Sequence, residues 1–128
     1  MERLSNQEFN EKMRERTKQL ALQIIALSDK LPNKESVRVI NRQLLRSATS
    51  VAANFRAACR GRSKAEFYSK ICIVVEEVDE TQFWLEMLVD SKLVDNNNYD
   101  IKKLIGEVSE ILAITTAIKN KLKQQKKP

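Results

Sequence analysis

A chain of 128 residues with a formal charge of +6 is long enough for one domain with a single core, and its basic balance suits solubility and weak attraction to polyanions. The absence of histidine excludes Ser-His-Asp and Cys-His catalysis and the Glu-x-x-His ligand pairs of di-iron bundles. Two glycines and two prolines, against plentiful Leu, Ile, Val, Ala, Lys, Arg and Glu, favour helices over the turns of a sheet, and the scarce aromatics require a mostly aliphatic core.

The first predicted helix covers 7–31. Phe9, Met13, Thr17, Leu20, Ile24, Leu27 and Leu31 recur at intervals of three and four and so share one face. Pro32 ends the helix, because a proline pushes the residue before it out of the helical region. The second helix covers 34–60, with Asn33 as its expected N-cap and a stripe of Val37, Ile40, Leu44, Ala48, Val51, Phe55 and Ala58. Gly61 suits the left-handed position just past a helix end. The third covers 64–91 and opens on a capping box, Ser63 with Glu66; its stripe is Phe67, Ile71, Val74, Val78, Thr81, Leu85 and Leu88, with Trp84 and Met87 beside it. The polar run DNNNYD, Asp95 to Asp100, connects to a fourth helix over 97–124 and supplies its cap. There the stripe is Ile101, Leu104, Val108, Ile111, Thr115, Ile118 and Leu122, before a lysine-rich tail suited to a helix C-terminus. Four stripes of similar length with short connections predict an all-α fold, an antiparallel up-down-up-down four-helix bundle with left-handed crossing, over residues 1–128 as one domain.

The middle of the second helix is small on every side. Ala48 and Ala52 sit near the core stripe, Ser47, Ser50 and Asn54 run up one flank, and Ala53 and Ala57 fall on the expected solvent face. Alanine there serves helix propensity, or it lets another backbone come close. The second reading makes Ala53, Asn54 and Ala57 a subunit interface in a homo-oligomer. A membrane span is excluded, because Arg42, Arg46, Arg56 and Arg60 interrupt the run too closely.

Charge divides by segment. From Pro32 to Arg62 seven cations face Glu35 alone, whereas Ser63 to Lys92 carries seven carboxylates against three lysines. A basic helix followed by an acidic one predicts pairing, with Arg56, Arg60 and Arg62 answering Glu76, Glu77, Asp79 and Glu80. Arg38, Arg42, Arg46, Lys121, Lys123 and Lys126 are then the candidates for polyanion contact. No helix-turn-helix, zinc-finger or RNA-recognition signature accompanies them, so binding should be phosphate-led and salt-sensitive. The alternative is a protein–protein scaffold whose charges pair internally.

No catalytic constellation, cofactor or small-molecule substrate is evident. EEVDE, Glu76 to Glu80, has oxygen ligands, but a di-metal site needs carboxylates from several helices, and a salt-bridge network explains them as well. Gly61 and Gly106 are isolated and form no phosphate loop. The arginines near Cys59 would lower its pKa, yet a small buried residue at a helix end is the plainer role. Cys59 and Cys72 form no C-x-x-C motif. With no signal peptide or transmembrane run, a reduced, cytoplasmic, non-enzymatic protein with free thiols is expected.

The stretch ATSVAANFRAACRGRSKAEF followed by EEVDETQFWLEML resembles the four-helix-bundle family of the 23S rRNA-intervening sequence proteins. RQLLRSATSV leads into AANF, an arginine-rich helix end follows, and a capped helix opens with EF and carries EE-x-DE and WLE. The match is good from Gln43 to Leu88 and extends to the outer helices by pattern and length. Many relatives place Ile-Pro before Ala-Asn and Glu-Gly after it, where this chain has Val51-Ala52 and Ala57-Ala58. The resemblance implies a bundle that assembles as a homo-oligomeric ring, a pentamer, of bacterial origin and without a well-established function. The distantly similar accessory proteins of diversity-generating retroelements are basic pentamers that bind a reverse transcriptase and nucleic acid. A fold-level analogy does not itself transfer function; RNA or a nucleic-acid-handling protein is the partner expected from the arginines and the lysine-rich tail.

Overall fold

The computed structural model describes residues 2–95 and 99–125. They form four helices, α1 (Glu2–Ser28), α2 (Glu35–Cys59), α3 (Lys64–Asp90) and α4 (Tyr99–Gln125), with no strand among the described residues. Chain neighbours pack against each other, and α1 meets α4 to close the bundle; among the described residues the diagonal pairs make no close backbone approach. Antiparallel order is visible in the cross-links. Asn41 near the start of α2 donates to Ser28 at the end of α1 (2.7 Å), while the Cys59 thiol at the end of α2 lies 3.8 Å from the Asn10 carbonyl oxygen.

The periodic stripes become the core. All seven stripe residues of α2 are buried, as are Ile71, Val74, Val78, Thr81, Leu85 and Leu88 of α3. Met13, Thr17, Leu20, Ile24 and Leu27 of α1 join them, with Ile101, Leu104, Val108, Ile111 and Thr115 of α4. Phe67, Ile118 and Leu122 pack against this core from its rim, together with Trp84, Met87 and Leu31, the last lying beyond the end of α1. Phe55, the largest fully buried side chain, illustrates the scale: truncation to alanine at such a site costs about 3–5 kcal/mol. Phe9 departs from its stripe and stays 41% exposed. Asn10 already lies opposite Cys59, the last residue of α2, so Phe9 has run past the helix that would cover it.

The α2–α3 pair is the most closely packed and α1–α4 the least. Small residues explain the first. Ser47 and Ala48 are fully buried and bring the two backbones together, and Thr81 Oγ1 sits 2.9 Å from Ser47 Oγ. Both hydroxyls are satisfied within their own helices, Ser47 donating to the Leu44 carbonyl (3.1 Å) and Thr81 Oγ1 lying 2.8 Å from that of Glu77.

Three caps differ from expectation in instructive ways. Lys34, not Asn33, is the N-cap of α2, in extended conformation and without a side-chain cap bond. The Asn33 amide oxygen is taken instead by Arg38 Nη1 at 2.6 Å. Gly61 has no positive φ; the end of α2 is closed by the Arg60 and Gly61 backbone N–H groups turning back on the last carbonyls. Glycine eases a close approach there, since a Cβ would lie 3.1 Å from the Ala58 oxygen and 3.3 Å from the Phe67 nitrogen, tight enough that the backbone would have to shift by a few tenths of an ångström. The capping box of α3 is half as predicted. Ser63 Oγ accepts the Glu66 N–H (3.1 Å), but the Glu66 carboxylate reaches back to the Arg62 N–H (2.6 Å) rather than to that of Ser63. Residues 96–98 of the connection, with any cap they supply, lie outside the described residues. Among the described residues no helix is long and apolar enough to cross a membrane.

Candidate functional site

The outer face of α2 carries Arg42, Arg46, Thr49, Ala53, Arg56 and Arg60, all exposed, at steps of four and three that hold them in one line. Their neighbours divide them. Arg46 leans toward α3, where Nη1 donates to Glu77 (3.0 Å) and Nη2 to Glu80 (2.6 Å). The hydrogen bond from Arg46 is the main reason the Glu80 carboxyl is held below its usual range, helped by the indole N–H of Trp84 at 3.2 Å. In return the bond to Glu80 raises the Arg46 pKa. Arg38 is engaged as well, with Glu35 (2.6 Å) and Asn33.

The expected division of labour among these arginines is therefore largely reversed. Arg38 and Arg46, expected to face a polyanion, are held by carboxylates. Arg56 and Arg60, expected to pair with α3, make no ion pair among the described residues, and neither do Glu76 and Asp79. Arg62 does meet a carboxylate of α3, but it is Glu66 at 3.7 Å, one turn from the cap. Arg42 is exposed and without an ion pair among the described residues. Lys121 and Lys123 are exposed at the end of α4, and Lys126 lies outside the described residues.

Arg56 and Arg60 line a groove of about 530 Å³ between α1 and α2, opposite Arg14, Glu15 and Lys18, with Ala52 and Ala53 as its small side chains. Arg14 is tied to Glu11 (2.6 Å), and Glu15 accepts from Gln19 (3.0 Å). A shallower depression beside it is formed by Ala53, Arg56, Ala57 and Arg60. Ala53 is exposed, as a packing surface requires, and Ala57 is half-buried. Asn54 turns its amide to its own helix, donating to the Ser50 carbonyl (3.0 Å) and hydroxyl (2.9 Å).

Two features were not anticipated from the residues. Arg14 and Lys18 complete the cationic rim of the groove, which becomes visible only once α1 is laid antiparallel to α2. Arg16 of α1 reaches across to Glu107 and Glu110 of α4. The signal for it was available: two carboxylates three residues apart share a helix face and suit one guanidinium fork, as Glu77 and Glu80 do for Arg46.

Cys59 carries no activation. Burial, then the charge of Glu11, pushes its thiol pKa up, with Arg14 opposing. Both cysteines are free and half-buried. Among the described residues no three Cys, Asp or Glu side chains gather as a metal centre would require.

The arrangement has known counterparts. A protein with unknown function from the S23 ribosomal protein family of Bacteroides thetaiotaomicron has a solved structure that is similar to this one, with a TM-score of 0.77 at 28% identity, covering 87% of this chain and 97% of that one. No curated protein matches the chain. The family model described as 23S rRNA-intervening sequence protein matches residues 9–117, a span that enters all four helices and contains the whole α2–α3 pair. The chain thus belongs to the 23S rRNA-intervening sequence protein family.

Proposed function

We propose that this chain is a non-catalytic, homo-oligomeric bundle that acts as an RNA- or nucleic-acid-binding accessory factor, alone or within a ribonucleoprotein. One observation carries the reading: Arg42, Arg56 and Arg60 stand exposed on one helix face with no carboxylate partner among the described residues. Guanidinium groups left in that state favour phosphate, and the net charge of +6 adds a long-range attraction. Exposed Ala53 beside Ala57 supports self-association through α2; the stripe spacing supports left-handed helix crossing, and a ring of five is what the family resemblance implies. Repetition of a weak phosphate site around a ring raises its avidity without new contacts.

A second reading, a protein–protein scaffold without nucleic-acid binding in the cytoplasm, is favoured by the Arg46 clamp, since Glu77 and Glu80 consume a cation that phosphate would otherwise take. Binding to a structured RNA and to a duplex DNA across a salt series, with oligomer mass followed in the same buffers, separates the two. Affinity that falls steeply with salt supports the accessory role. No binding at low salt transfers the assignment to the scaffold.

A further inference from the structure

We infer that the groove between α1 and α2 is the seat of nucleic-acid binding and that it takes the phosphodiester backbone of a duplex, not a single strand. This rests on the nucleic-acid reading above and names its site and ligand class. Four cationic side chains, Arg14, Lys18, Arg56 and Arg60, line the groove beside the carboxylate of Glu15; Arg14 is shared with Glu11 (2.6 Å), which leaves Lys18, Arg56 and Arg60 without an ion pair among the described residues. Arg14 and Lys18 are one helical turn apart on α1, as are Arg56 and Arg60 on α2, so each wall repeats its charge about every 6 Å. The alanines between them hold no long side chain upright, and a rigid polyanion can settle between the walls.

The lining also says what is not read. No aromatic side chain belongs to it, and no Asn or Gln. Single-strand binding without sequence preference rests on bases stacked on aromatic rings, each worth about 1–3 kcal/mol, and adenine readout on amide forks; the lining has neither. A site of cations alone recognises the regularly spaced charge of a backbone whose bases are already paired. The groove and the proposed oligomer surface share Ala53, and Arg56 and Arg60 border Ala57 in the adjoining depression, so oligomer mass is followed alongside binding; at 100° per residue Ala57 and Asn54 turn from Ala53 toward α3, whereas Arg56 and Ala52 turn toward α1.

The test compares Arg56→Ala/Arg60→Ala with the unaltered protein on a 20-base-pair duplex and on its single strand. Both arginines are exposed and make no ion pair among the described residues, so the double variant should melt with the parent. The expected result is duplex affinity reduced about tenfold or more at 0.1 M salt, with the slope of log affinity against log salt shallower by about 2. The parallel variant Lys121→Ala/Lys123→Ala should retain most of the binding. A parent that binds duplex while the arginine variant binds it equally well overturns the groove and leaves nucleic-acid binding standing. A single strand bound as tightly as the duplex overturns the ligand class. Displacement of the duplex by poly-glutamate at matched charge concentration assigns the groove to an acidic protein segment instead. A parent that binds no nucleic acid at 20 mM salt overturns both this inference and the reading beneath it.

Discussion

Glu107 of α4 holds Arg16 of α1 through two parallel hydrogen bonds, 2.8 Å from Nε and 2.7 Å from Nη2, and Glu110 adds a third contact at 3.1 Å. The pair bridges the most thinly packed seam of the bundle, with both side chains less than a third exposed. Glu107→Gln should lower stability by about 1–2 kcal/mol in urea unfolding at neutral pH. The hydrogen bond from Arg16 holds the Glu107 carboxyl below its usual range, so its contribution is complete above the unfolded value of about 4.3 and is lost as pH falls through the lower folded value. The parent should therefore lose more stability than Glu107→Gln as pH falls below about 4.3. Parallel pH profiles for the two proteins would count against this role.

Trp84, the sole tryptophan, donates its indole N–H to Glu80, whose other main partner is Arg46. Protonation of Glu80 should alter the tryptophan emission as pH falls below about 4.3, a transition that Glu80→Gln removes. Arg46 is the largest cause of the depressed Glu80 pKa, so Arg46→Met should move the midpoint upward. An emission midpoint insensitive to Arg46→Met would show that Glu80 is not the reporter.

Gly106 is an exposed glycine within α4, and a Cβ built there meets nothing within 4 Å. Gly106→Ala should raise stability by about 0.5–1 kcal/mol, through helix propensity and a less mobile unfolded chain. Thermal melting of the variant checks this. A loss of stability that coincides with a lower oligomer mass would instead place α4 against a neighbouring subunit.

Ala53→Arg places a long cation on the smallest part of the α2 surface and should reduce the assembled mass to that of a monomer in light scattering, with helical content unchanged. Retention of the parental mass would remove Ala53 from the interface.

The core was legible because burial follows one periodic variable. Once α2 buries Leu44 and Val51, its spacing decides Ala48, Phe55 and Ala58 without reference to any other helix. The charged surface follows two variables, and only one of them is written locally. Arg46 and Arg56 belong to the same face, but Arg46 inclines toward α3 and Arg56 toward α1, and the partner on each side is set by helix order and axial register. Counting charges per segment captured the attraction between α2 and α3 and assigned it to the wrong arginines. Phe9 failed for a related reason: its spacing is right, but α2 ends before reaching it.

The unequal pairing of the helices also orders the folding of the chain. The most heavily packed pair, α2 and α3, is joined by the short connection 60–63, so its contacts form at little loop-closure cost. The pair farthest apart in sequence, α1 and α4, is the least closely packed and should dock after the central hairpin exists. Folding should proceed from the middle of the chain outward, and amide exchange in the opposite direction; exchange that reached the α2–α3 hairpin before α1 and α4 would reverse this order.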